Sequence, residues 1–309
     1  MSKERTSLGA RILEGFLHLQ GRFPLAYHRW WARRIAWLVR DVFHYRREVV
    51  MANLARSFPG KSYEELQSIS KRFYLHFATV LTEMIWFGAC RGPKGRERLH
   101  NSHIVEFTNP EELNRLYNGA NQLMILQAHT GNWELVGGYR EYSYGTSLAL
   151  EPTAMAVTYR ALSSKTWDAV MAQNRPAPVL DLGFEGYVET RSVLRYMLER
   201  QDRKFAYTFI ADQYPFSGVG EPVTFMHQPT LTMTAATRMA VKLDMALAYL
   251  RYECREEGGY RMTCVPLAEK AGGKDPMQLM QQYYKLLEED LEKQPWNYLW
   301  SHKRWKVKQ

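Results

Sequence analysis

From Gln122 onward, short apolar runs alternate with longer amphipathic stretches. The runs 122–128 (QLMILQA), 154–159 (AMAVTY), 178–182 (PVLDL), 204–211 (KFAYTFIA), 246–252 (ALAYLRY) and 260–266 (YRMTCVP) have strand length and composition. Between them, 132–141, 163–174, 186–200, 231–242 and 276–293 carry the spacing of helices. Regular alternation of this kind predicts an α/β fold: a central, mostly parallel or mixed sheet flanked by helices. Ahead of it the pattern is helical. A segment from about 47 to 58 stops at Pro59-Gly60, and Ser62 with Glu64 and Glu65 opens a long helix to about Ala89. That helix is apolar on several sides and holds Glu83, a carboxylate that must be either paired or functional.

On a helical wheel over Phe23 to Phe43, Phe23, Tyr27, Trp30, Trp31, Trp37 and Leu38 share a broad face. Arg29, Arg33 and Arg40 gather on another, and Arg34 intrudes on the aromatic one. A Trp-rich face beside an Arg face suits a helix lying in a membrane interface; a surface helix packed on the domain is the other reading. The expected division is therefore 1–50 as an amphipathic docking segment and 51–309 as the α/β domain. No run of about 18 apolar residues exists, so no ordinary spanning helix is predicted.

Charge sharpens this picture. The chain carries a net +9, and residues 1–50 hold ten Lys and Arg against four acids, which points to an acidic partner. Nucleic acid is disfavoured, because the arginines accompany tryptophans on an amphipathic helix and no nucleic-acid-binding motif is present. The three cysteines, Cys90, Cys254 and Cys264, form no CxxC, so neither a disulfide framework nor a zinc site is expected.

The strand at 122–128 runs into His129, followed by Gly131, Asn132 and Glu134. His followed five residues later by an acid is weak by itself: about one such pair is expected by chance here. Context is stronger. The histidine lies just past the carboxyl end of an apolar strand, where α/β sheets place their functional loops. Gly131 lets another molecule approach the backbone. Asn132 is a candidate N-cap, putting Glu134 one turn into a helix, from which it could reach one imidazole nitrogen and leave the other as a base. The N–H groups of the helix start could hold a developing oxyanion. Polar turn residues and an acid favoured by the helix dipole are the plainer reading.

Taken together, six ordered segments resemble the late (secondary) acyltransferases of lipid A biosynthesis, part of the wider lysophospholipid acyltransferase-like superfamily marked by His-x4-Asp/Glu. They are YRREVVMANLARSFP (45–59), FATVLTEMIW with Glu83 (77–86), LQAHTGNWEL (126–135), VTYRALSSKTWDAVM with Arg160 (157–171), FIADQYP with Asp212 and Gln213 (209–215), and WNYLWSHKRWK (296–306). The resemblance implies an O-acyltransferase in which His129 deprotonates an acceptor hydroxyl with Glu134 as its partner. Gly131, Asn132, Arg160, Asp212, Gln213 and Glu83 would serve substrate binding. The implied donor is the thioester of acyl carrier protein, with no other cofactor and no metal. The implied acceptor is a phosphorylated lipid A precursor, met at the cytoplasmic face of the inner membrane. Arg304 and Lys306 would suit a phosphate or carrier-protein surface. Transfer to another lysolipid, aminolipid or glycolipid and a non-catalytic lipid-binding role are the competing readings.

Overall fold

In chain order, the computed structural model contains α1 (Leu8–Gly21), α2 (Leu25–Trp37), α3 (Arg47–Ser57), α4 (Tyr63–Phe87), α5 (Gly92–Asn101), β1 (Val105–Phe107), α6 (Pro110–Gly119) and β2 (Gln122–Gln127). There follow β3 (Met155–Tyr159), α7 (Lys165–Asn174), β4 (Tyr187–Glu189), α8 (Val193–Leu198), β5 (Phe205–Ile210), β6 (Glu221–Phe225), β7 (Gln228–Thr232), α9 (Ala235–Lys242), β8 (Ala246–Cys254), β9 (Tyr260–Ala268) and α10 (Pro276–Lys293). The structure describes residues 8–162, 164–184, 186–215 and 220–305. Residues 1–7 of the expected docking segment, Ser163 at the start of one expected helix, and Lys306 lie outside them.

Seven strands form one sheet in the order β1-β9-β8-β2-β5-β3-β4. The neighbours β8, β2, β5, β3 and β4 are all parallel, and β9 is antiparallel to β8. Parallel strands need both faces covered, and β2 shows why its sequence is nearly all apolar. Met124 and Leu126 pack into one core; Leu123 and Ile125 pack into the other. The first core is built with Phe73 and Tyr74 of α4, Ala236 and Ala240 of α9, and Tyr283, Tyr284 and Leu287 of α10. The second contains Trp86 and Phe87 of α4, Leu99 of α5, and Leu113 and Leu116 of α6. Val50 and Leu54 join the first core, so α3 runs through position 50 without a break.

Local chemistry explains the sharper boundaries. Ser62 caps α4: its hydroxyl accepts from the Glu65 N–H, and the Glu65 carboxylate accepts from the Ser62 N–H at 2.7 Å. Asp275 caps α10, followed by Pro276 in the first turn. Four expected elements differ. Residues 178–182 form no strand but a 3-10 turn, Ala177–Leu182, since Pro178 has no N–H for a ladder. The helix expected at 132–141 is a six-residue 3-10 turn, Trp133–Gly138, ending in two glycines that do not sustain a helix. Within 186–200, Tyr187–Glu189 pairs with β3 before the short α8 begins. Residues 231–232 finish β7, where alternating Thr230 and Thr232 favour extended chain.

The amphipathic segment at 23–43 is mostly α2, which continues into a π-helical turn, Leu38–Val42. Its buried side is His28, Ala32 and Ala36, seated against Ala78 of α4. The indoles face out, with Trp30 at 47%, Trp31 at 40% and Trp37 at 58% exposure. The helix thus packs through its small residues and leaves its aromatic face uncovered. No helix among the described residues is long and apolar enough to cross a membrane.

Candidate active site

Register builds the site. Gln127 of β2 lies beside Ile210 of β5. The ladder runs one step further, with the Ala211 N–H donating to the Gln127 carbonyl at 3.0 Å. Two residues past each strand, His129 and Asp212 therefore emerge side by side. His129 Nδ1 and Asp212 Oδ1 are 2.8 Å apart, with 13% and 1% side-chain exposure respectively. Arg160 leaves β3, the strand beyond β5, at the same edge, and is exposed.

Burial alone would raise the Asp212 carboxyl, but the charge and hydrogen bonds of His129, with Arg304 behind, hold it below its ordinary value. An ionised Asp212 makes His129 Nδ1 the N–H donor and leaves Nε2 with its lone pair. The Gln213 amide nitrogen lies 3.1 Å from that Nε2, in position to donate to it. The Trp133 ring stands edge-on to the imidazole, with centroids 5.0 Å apart.

Glu134 is not the carboxylate on His129. It accepts from Arg175 Nε at 2.6 Å and Arg175 Nη2 at 2.9 Å, and from Trp133 Nε1 at 3.1 Å. Arg175 gains from this: burial opposes its charge, and Glu134 more than restores it. The cause is the turn. A tight 3-10 start directs Glu134 toward the end of α7, while the parallel register has already set Asp212 beside the histidine. The Gly131 N–H, just ahead of the turn, is taken up by donating to the Asn297 side chain.

Glu83 and Asn132 meet. Asn132 Nδ2 donates to Glu83 Oε2 at 3.1 Å, the Tyr260 hydroxyl donates to the same oxygen at 2.8 Å, and Arg29 Nε donates to Oε1 at 3.2 Å. Burial raises the Glu83 carboxyl in spite of these three donors. Gly131 has φ +55°, and a Cβ there would stand 2.5 Å from Tyr252 Cβ. The structure thus uses Glu83, Gly131 and Asn132 to shape the histidine loop.

Sequence reasoning missed Asn297, Arg175 and Tyr260. Asn297 had a signal, since it lies within the 296–306 segment; Arg175 had none. Arg304 is 1% exposed, so it is no surface cation: its Nη2 donates to the Tyr284 hydroxyl, which in turn donates to the Ala211 carbonyl beside Asp212. The early segment clamps this tail, with Asn53 Nδ2 donating to the Trp300 and His302 carbonyls at 2.8 and 3.0 Å.

A search of curated proteins returned no match. A family model described as bacterial lipid A biosynthesis acyltransferase matches residues 6–307.

Proposed function

The chain belongs to the bacterial lipid A biosynthesis acyltransferase family, and from that premise we propose that it moves a fatty acyl chain from acyl carrier protein to a hydroxyl of a phosphorylated lipid A precursor, with His129 as general base and Asp212 as its partner. The 2.8 Å His129–Asp212 pair carries this reading. The buried carboxylate fixes the tautomer, and Nε2 takes the acceptor proton once the hydroxyl replaces the Gln213 amide. The hydroxyl oxygen attacks the thioester carbonyl. Collapse of the tetrahedral intermediate breaks the C–S bond, and the imidazolium returns its proton to the departing thiolate. Asp212 stays ionised throughout. Arg160, at the same strand edge, is assigned to substrate positioning, and Glu134 with Arg175 to holding the loop.

The setting assigned to this reaction is the cytoplasmic face of the inner membrane, where α2 presents its exposed indoles to lipid. The test offers detergent-purified protein acyl–acyl carrier protein and a phosphorylated lipid A precursor, with product followed by mass spectrometry. Wild type is expected to yield a product heavier by one acyl chain, and His129→Ala none. Product from both would remove His129 as the base. Product only with a different acceptor lipid would keep the chemistry and replace the acceptor.

A further inference from the structure

Outside the catalytic edge, α1, the end of α4 and the start of α5 enclose a cleft of about 780 Å³. Its lining is strongly basic: Arg11, Arg22, Arg91, Lys94 and Arg98 against a single acid, Glu14. Glu14 is already engaged by Arg91, at 3.4 Å. Arg98 is anchored by donating to the Gly21 and Phe23 carbonyls. Arg11, Arg22 and Lys94 hold no carboxylate among the described residues. His18 also lines the cleft, and its buried Nδ1 has no hydrogen-bond partner among the described residues.

The position of the cleft on α1 indicates what fills it. At 3.6 residues per turn, Arg11, Glu14, Gly15 and His18 share one face of the helix, and Arg22 continues it just past the helix end. The exposed side chains Ile12, Phe16 and Leu19, continued by Phe23 just past the helix end, form a second face about a third of a turn away. Buried Leu17 marks a third, which packs on the protein. The cationic face lies between the apolar outward face and the body of the molecule. For a helix lying at an interface with its apolar face in the acyl region, that is headgroup level.

We infer that this cleft binds the phosphomonoester headgroup of an amphiphile standing in the membrane. A phosphomonoester carries more charge than a bilayer phosphodiester, and guanidinium forks match its oxygens in pairs. The volume suits a phosphorylated sugar better than a bare ion. The inference rests on the reading of the acceptor as a phosphorylated lipid, and names where its phosphate is held.

The experiment measures binding alone, so a failure here leaves the acyl-transfer reading untouched. Full-length protein is titrated with phosphatidylcholine vesicles carrying either phosphatidic acid or phosphatidylglycerol, matched in surface charge. The triple variant Arg11→Gln/Arg22→Gln/Lys94→Gln removes cations that hold no carboxylate among the described residues, and circular dichroism reports its fold. Wild type is expected to prefer the phosphatidic acid vesicles, and the variant to lose that preference by about tenfold or more while keeping its affinity for neutral vesicles. Equal binding of both vesicle types by wild type would reduce the cleft to general attraction for an anionic surface and overturn the proposal. An unchanged preference in the variant would overturn it too. If inorganic phosphate at low concentration abolishes the preference, the site is for free phosphate and the lipid assignment falls. Loss of acyl carrier protein binding by a variant that keeps the lipid preference would give the cleft to the acidic protein instead.

Discussion

Asp212 and Glu134 are both buried carboxylates near the histidine loop, and their partners separate their roles. Asp212→Asn removes the charge that fixes the His129 tautomer, so kcat is expected to fall by about 10²–10⁴ with the fold retained. Glu134→Gln leaves Arg175 half-paired; it is expected to cost about 1–3 kcal/mol of stability while leaving the pH profile of kcat in place. Steady-state rates and thermal melts on the two variants separate these effects, and a reversed pattern would return Glu134 to the base. Asp212 also has a signature in pH. Its folded value lies below the ordinary one, so its stabilising contribution is present above about pH 4 and is lost as pH falls through the folded value. The stability gap between wild type and Asp212→Asn should therefore close in strong acid. Gly131→Ala, at φ +55° and against Tyr252, is expected to cost more than about 1 kcal/mol and to disturb the loop that carries His129.

Among the elements, α2 and the histidine loop are joined through Glu83, which faces Arg29 on one side and Asn132 on the other. Arg29→Met leaves a buried carboxylate with only neutral donors. Because Arg29 is 37% exposed, the expected loss is about 1–3 kcal/mol, short of that for a fully buried pair. Removing the guanidinium raises the Glu83 value further, so the deficit should widen as pH rises; melts at acid and neutral pH check the sign. These elements also show what a sequence can carry. The strands β2, β5 and the first half of β8 were legible as nearly continuous apolar runs, β9 because buried and more exposed positions alternate along it, and α10 because it has both periodicity and an Asp-Pro start. The residues 178–182 misled because an apolar run says nothing of hydrogen bonding, and Pro178, with no N–H to give a ladder, decided the matter. At the site, His129 was legible from its place after a strand. Its partner was not: Glu134 is near in sequence, whereas Asp212 is near only through the β2–β5 register. Spacing along a chain reports on one element, and parallel pairing acts between two.

At the scale of the molecule, the exposed indoles of α2 and the apolar face of α1 lie on the two most N-terminal described helices. Half-exposed indoles each contribute about 1 kcal/mol on entering lipid, so Trp30→Ala/Trp37→Ala should weaken vesicle partition by about ten- to thirtyfold. Intrinsic fluorescence on vesicle titration measures it, and an unchanged partition would detach α2 from the membrane. At the other end, Asn297 holds the Gly131 backbone, and Arg304 stands behind Asp212. Chain order is also time order during synthesis, with N-terminal parts emerging first. A nascent chain already displays the exposed aromatic and apolar faces of α2 and α1 and carries both His129 and Asp212 before residues 297–304, which brace their loops, have emerged. On this reading the acyl transfer proposed above waits for residues 297–304, which are made after both strands that carry His129 and Asp212.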